Sequence, residues 1–265
     1  MKVLKFGGTS IGTPSKIKNL TKIININDKN IIVLSAFSGT TNKLLEIINE
    51  NKKIKYRCLL IEKLYNEYIL FINELFTENK EYINKALLII NKSFDIIKKS
   101  DIKLSKNILA QGEIISSNIL YLYLTSINIK CHIISALDFM KIDENYEPIF
   151  DFIKNKINNI INNNIDKYNL FITQGYICKN IDNEIDNLKR GGSDYTASII
   201  GYALNSTEVQ IWTDIDGMHN NDPRIIKNTN YIPELSFDSA AELSYFGAKI
   251  LHPCSVLPAQ KKKYQ

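Results

Sequence analysis

A chain of 265 residues can bury a sizeable core, and it fits one large α/β domain or two intimately packed lobes. Its net charge of +5, from 33 Lys+Arg against 28 Asp+Glu, is spread along the sequence rather than gathered into a basic tail, which argues against a nucleic-acid partner. Four scattered cysteines without C-x-x-C spacing argue against a disulfide framework or a zinc site, and no run reaches the ~18 apolar residues that span a bilayer, so the expected setting is a reducing cytoplasm without a membrane partner.

The chain opens on Lys2-Val-Leu-Lys-Phe-Gly-Gly-Thr-Ser10, which reads as a strand running into a phosphate turn. Val3, Leu4 and Phe6 favour β structure, Gly7 and Gly8 allow positive φ or a close ligand approach, and Thr13-Pro14 reads as a helix N-cap followed by Pro at N1. Backbone N–H groups at such a turn can face phosphate oxygens, and Lys5 adds a full positive charge. The lysine precedes the glycines, so this is not a Walker A loop, and the G-x-G-x-x-G dinucleotide fingerprint is absent. A plain strand–helix turn is the bland alternative.

Ile17, Leu20, Ile23 and Ile24 then fall at helical spacing, and Ile31-Ile-Val-Leu34 is a continuous apolar run, as in a buried parallel strand. Ser35-Ala-Phe-Ser-Gly-Thr-Thr-Asn42 repeats the opening plan, a strand tip and a small-residue loop before a helix from about Lys43. Two such loops suggest one site at the carboxyl edge of a sheet. From about 54 to 126 the pattern is helical, a helical insertion whose aromatics read as core. Within it Glu113, after Gln111-Gly112, either faces solvent or needs a partner, because an unpaired buried charge is expensive.

Further strands are expected at Cys131–Ile134, Tyr168–Thr173 and Val209–Thr213, a helix over Asp151–Ile161, and a hairpin or mobile loop from Lys179 to Asn187. Arg190-Gly-Gly-Ser-Asp194 opens a helix with a planar guanidinium suited to a carboxylate or phosphate, while Asp194 reads equally as an ordinary first-turn charge. Asp214-Ile-Asp-Gly217 and Asn221-Asp-Pro-Arg224 lie in a long loop. Ser239-Ala-Ala-Glu242 reads as a capping box for a helix ending near Gly247, with Lys249 just past its end.

Taken in order, Lys5-Phe-Gly-Gly-Thr-Ser10, Leu34-Ser-Ala-Phe-Ser-Gly-Thr-Thr-Asn42, Gly112-Glu113, Arg190-Gly-Gly-Ser-Asp194, Trp212-Thr-Asp-Ile-Asp-Gly217 with Asp222-Pro-Arg224, and Phe246-Gly-Ala-Lys-Ile-Leu-His-Pro253 resemble the aspartokinase catalytic domains of the amino-acid kinase family. The wording of Glu242–Lys249 is most similar to the kinase half of bifunctional aspartokinase/homoserine dehydrogenases. The resemblance covers essentially the whole chain. It implies a three-layer αβα sandwich, with an acceptor-binding lobe over about 1–175 and a nucleotide-binding lobe over about 176–265. The activity it implies is transfer of the ATP γ-phosphoryl group to the side-chain carboxylate of L-aspartate, giving 4-phospho-L-aspartate, the first step of lysine, threonine and methionine synthesis.

By the same resemblance, Lys5 contacts the transferring phosphate and Asp194 orients the lysines. Gly7 and Gly8 act as backbone donors, Arg224 and Lys249 hold ATP phosphates, and Thr213, Asp214 and His219 lie near the nucleotide. Ser35, Thr41, Glu113, Arg190 and Ser193 form the aspartate pocket. Mg²⁺ arrives with ATP, so no protein metal site is expected. His219 stands where the family generally has Tyr, which bears on the shape of the nucleotide pocket. Lys189 stands where a glycine is usual, and either tightens phosphate binding or crowds the acceptor loop.

Family members usually continue into regulatory modules or a dehydrogenase. The chain is therefore expected to be an isolated kinase domain or a fragment, insensitive to threonine and lysine, with homo-oligomerisation left open. Competing readings are another activity of the family, such as acetylglutamate or carbamate kinase, and a decayed kinase domain serving as a nucleotide- or partner-binding module.

Overall fold

Short apolar runs that end at small or polar residues form the strands. The computed structural model describes residues 1–50, 54–100, 105–189, 191–221, 225–246 and 253–262. The strands are β1 (Lys2–Phe6), β2 (Asn30–Leu34), β3 (Cys131–Ile134), β4 (Leu170–Gln174), a small antiparallel pair β5 (Ile177–Lys179) and β6 (Ile185–Asn187), and β7 (Glu208–Trp212). All but the small pair join one parallel sheet in the order β3-β4-β2-β1-β7.

Strand side chains alternate between two cores. Leu4, Phe6, Ile32, Leu34 and Ile172 point to one face, where α2 (Pro14–Ile23), α3 (Thr40–Asn49), α4 (Ile54–Phe76), α5 (Lys80–Lys99) and α6 (Ser105–Ser126) supply Leu20, Leu44, Tyr68, Phe94 and Ile119. Val3, Ile31, Val33 and Phe171 point to the other face, against Ile153 and Ile157 of α7 (Phe150–Asn162) and Ile199 and Ile200 of α8 (Gly192–Ala203). Burial on both faces explains why β2 shows no polar alternation. The result is a three-layer αβα sandwich. A one-turn α1 (Gly8–Ile11) follows β1, and α9 (Phe237–Phe246) packs on α10 (Pro253–Lys262), which packs on α8.

Register brings the carboxyl ends together: Phe6 pairs with both Leu34 and Trp212, and Leu34 pairs with Gln174. The chain leaves β1 toward β2 on one side and returns as β7 on the other, so the order reverses beside β1, where open α/β sheets place their ligands.

Several local expectations shift. Gly7 is extended and neither opening glycine has positive φ. The third helix starts at Thr40 rather than near Lys43, because Gly39, at φ 77°, turns the chain into it. The stretch from 179 to 187 is a hairpin. Of the helical region 54–126, α6 lies directly against β2, β3 and β4, so only α4 and α5 stand outside the sheet layer. The cap of α9 is Ser236, whose Oγ accepts from Ser239 N at 3.2 Å, one turn before the expected Ser239–Glu242 box.

Candidate active site

Lys5 occupies the face of β1 that looks toward α8. Its Nζ lies 2.5 Å from Asp194 Oδ1 in the first turn of that helix, and the two side chains are 11% and 17% exposed. The contact is ionic, since Oδ1 accepts no aligned hydrogen bond. Gly191 at φ 70° and Gly192 at φ 46° let the chain turn sharply enough to set Asp194 over the sheet edge. Removing either partner would leave the other charge enclosed and unpaired.

The opening loop is fastened to its neighbours on both sides. Gly7 N–H donates to Trp212 O at 3.2 Å, and Ser10 Oγ donates to the same carbonyl at 3.3 Å. At Gly8 a Cβ would sit 2.7 Å from Ala36 O, so only glycine allows the loops after β1 and β2 to touch. Close approach, rather than unusual φ, is what this glycine provides.

Beyond β2, the loop meets α6. Glu113 is buried, 4% exposed, and its Oε1 accepts from Ala36 N at 3.2 Å. Burial is the dominant effect and pushes its carboxyl up to about 8, only partly opposed by the Ala36 hydrogen bond. It is therefore no exposed helix-face residue, and it is an acid that holds its proton near neutral pH unless a cation comes beside it to favour the charged form. One turn along the same helix face, Ser116 Oγ donates to Ser35 O at 2.7 Å. Sequence reasoning passed over Ser116, although its i,i+3 spacing from Glu113 is the signal that pairs them. Gln174, also passed over, donates from Nε2 to Ser117 Oγ at 2.7 Å and accepts at Oε1 from Ala136 N at 2.8 Å, tying β4, α6 and the segment after β3 together.

Ser35 and Thr41 are half-buried along this loop. Ser193, 7% exposed, packs where a Cβ at Gly175 would fall 2.4 Å from its own Cβ. Lys5, Ser35, Glu113, Ser193 and Asp194 thus belong to elements that meet at one sheet edge. Arg190, Arg224 and Lys249 lie outside the described residues.

Thr213 and Asp214 are exposed past the end of β7, with Thr213 Oγ1 donating to Asp214 Oδ1 at 3.1 Å. Together with Thr9, Ser10 and Lys16 they line a cleft of about 210 Å³ between α2 and the tip of β7. His219 is buried within its own loop. Its Nε2 lies 2.7 Å from Asp216 Oδ1, its Nδ1 lies 2.9 Å from Thr229 Oγ1, and Tyr231 meets the ring edge-on. Both ring nitrogens are engaged in shaping that loop. Lys189 places its ammonium 3.1 Å from the centre of the Tyr146 ring.

Among the described residues no helix is long and apolar enough to cross a membrane, and no group of three His, Cys, Asp or Glu side chains could hold a metal ion.

Residues 1–265 match the model of the family described as Amino acid kinase family. The chain is 33% identical over 278 residues to a bifunctional aspartokinase/homoserine dehydrogenase of Buchnera aphidicola, covering 99% of this chain and 34% of that protein. It is 31% identical over 275 residues to the chloroplastic aspartokinase 2 of Arabidopsis thaliana, covering 97% of this chain and 50% of that one. Among solved structures, E. coli aspartokinase III in complex with aspartate and ADP superposes with a TM-score of 0.87 at 28% identity, over 100% of this chain and 60% of that one. The chain therefore spans between a third and two thirds of the length of these proteins.

Proposed function

Because the chain belongs to the amino acid kinase family, we propose that it is an aspartate kinase, transferring the γ-phosphoryl group of ATP to the side-chain carboxylate of L-aspartate. The observation that carries this reading is the convergence at one sheet edge of a lysine held by an aspartate, Lys5–Asp194, and a buried acid without a cationic partner among the described residues, Glu113. Relatives named aspartokinase at about 30% identity, and the likeness to an aspartokinase bound to aspartate and ADP, support the choice of substrate.

L-aspartate carries an ammonium and two carboxylates. Glu113 receives the ammonium, Arg190 the α-carboxylate, and Ser35, Thr41 and Ser193 complete the pocket. The nucleophile, with an intrinsic pKa of ~3.9, is already ionised at neutral pH, so no general base is needed. A side-chain oxygen bonds to the γ-phosphorus as the bond to the β–γ bridging oxygen breaks. The products are an acyl phosphate and ADP. Lys5 neutralises charge gathering on the transferring group, and Asp194 holds its ammonium in place before the substrates arrive. Arg224 and Lys249 act on the ATP phosphates, Gly7 and Gly8 border them, and Thr213, Asp214 and His219 shape the nucleotide side. Mg²⁺ would be carried in by the ATP phosphates, and the exposed carboxylate of Asp214 in the cleft lining suits such a metal.

On this reading about 1–175 holds the acceptor and about 176–265 the nucleotide, in a cytoplasmic enzyme that opens lysine, threonine and methionine synthesis. The test is ADP release from MgATP with L-aspartate, N-acetylglutamate or carbamate as acceptor. L-aspartate alone should support turnover, and Lys5→Ala should lower kcat about 10²- to 10³-fold. An aspartate signal unchanged in Lys5→Ala would remove Lys5 from the mechanism.

A further inference from the structure

The helical hairpin of α4 and α5 stands outside the sheet layers, yet one face of α4 reaches the loop after β2. Tyr68, 4% exposed, shares a hydrogen bond of 3.2 Å with Thr40 Oγ1, at the first residue of α3. Phe37, in the middle of the loop, packs its ring 5.9 Å from Tyr68 and 4.5 Å from Phe71, while Phe94 of α5 meets Tyr68 edge-on at 5.8 Å from behind. Glu67, next to Tyr68, pairs with Lys43 on the second turn of α3. The loop is thus held on two sides. From α6 it is held through Glu113 on Ala36 and Ser116 on Ser35, and from α4 through Tyr68 on Thr40 and Phe71 on Phe37.

Packing alone would be served by a phenylalanine at position 68. A buried hydroxyl, on a ring packed against Phe37 and Phe94, loses its hydration and persists because Thr40 satisfies it. Its pKa is driven far up, chiefly by burial, with Glu113 and Glu67 adding to the rise, so it stays a neutral hydrogen-bonding group that feels the Glu113 carboxyl. Thr40 is adjacent to Thr41, and its backbone N–H closes the loop onto Phe37 O at 3.0 Å.

We propose that Tyr68 is a positioning residue for the acceptor site: through Thr40 and Phe37 it fixes the loop 35–41 against Glu113, so the α4–α5 hairpin sets the affinity for the amino-acid substrate. The inference rests on the aspartate kinase reading for its kinetic part only.

Tyr68→Phe deletes one oxygen and keeps the ring, and Thr40→Val deletes the same hydrogen bond while keeping the β-branched shape. Each should raise KM for L-aspartate on the order of 3- to 10-fold, with kcat and KM for ATP little changed. The double variant should be no worse than either single one. Amide hydrogen exchange of residues 35–41 should accelerate in both single variants at unchanged exchange of β1 and β4. Unchanged KM in both single variants, additive losses in the double one, or unchanged exchange of the loop would overturn the proposal. Should the parent chain show no aspartate-dependent turnover, the substrate reading fails on its own, and the exchange measurement still decides whether Tyr68 positions the loop.

Discussion

On the proposed reading, Glu113 concentrates the chemistry of the acceptor side in a single residue. Folding moves its carboxyl from the ordinary value near 4.5 to about 8, so the native state holds this proton more tightly than the unfolded chain. The sign follows from linkage. Below pH ~4.5 both states are protonated and the group is neutral to stability; from there to about 8 stability falls by about 1.4 kcal/mol per unit, and above that the penalty is complete. Glu113→Gln, which cannot ionise, should therefore melt progressively higher than the parent as pH rises from about 5.5 to about 8.5. A constant difference across that range would show that the carboxyl is not held protonated. A substrate ammonium offsets the same penalty, so kcat/KM for L-aspartate should climb with pH toward 8 in the parent and be flat and low in Glu113→Gln. Sequence alone flagged this acid within an apolar helix but left exposed face and buried partner both open. What decides between them is how α6 rolls against β2, β3 and β4, and that is a tertiary fact.

At the scale of elements, the loops at the sheet edge are joined by contact rather than by strained backbone. Gly8 illustrates it: a methyl there would press at 2.7 Å on the carbonyl of Ala36, the residue whose N–H donates to Glu113. Gly8→Ala should cost about 1–3 kcal/mol of stability by thermal or chemical unfolding and raise KM for the acceptor as well. Wild-type stability in that variant would mean that the loops can separate freely. The glycines were legible as a turn, while their purpose was not, because their contact partner lies some thirty residues on in the chain. Helix α9 teaches the opposite lesson. Ser239-Ala-Ala-Glu242 has the spacing of a capping box, but Ser236 repeats the serine one turn earlier and captures Ser239 N. Local spacing cannot rank two competing caps. Ser236→Ala should lower stability by about 1 kcal/mol and Ser239→Ala by less, as read from unfolding midpoints.

Across the whole molecule, the apolar runs and the helical periodicity sufficed for an α/β domain with a buried parallel sheet, since strands buried on both faces have few other homes, while the three-layer sandwich was legible only through the resemblance carried by the motifs. The placement of β7 beside β1 was out of reach of pattern reasoning, because that pairing joins residues some two hundred positions apart. Yet it creates the order reversal at which Lys5, its partner Asp194 and the tip of β7 come together. Likewise α4 and α5 looked like filler for a core, and only their contact with the loop after β2 ties them to the proposed acceptor site. On the proposed reading, the central event at that edge is formation of a mixed anhydride between the aspartate side chain and phosphate. Incubating the chain with MgATP and L-aspartate in hydroxylamine should trap aspartate β-hydroxamate in a one-to-one ratio with ADP, and Lys5→Ala should suppress both. Release of ADP without hydroxamate, or at a rate indifferent to L-aspartate, would contradict it.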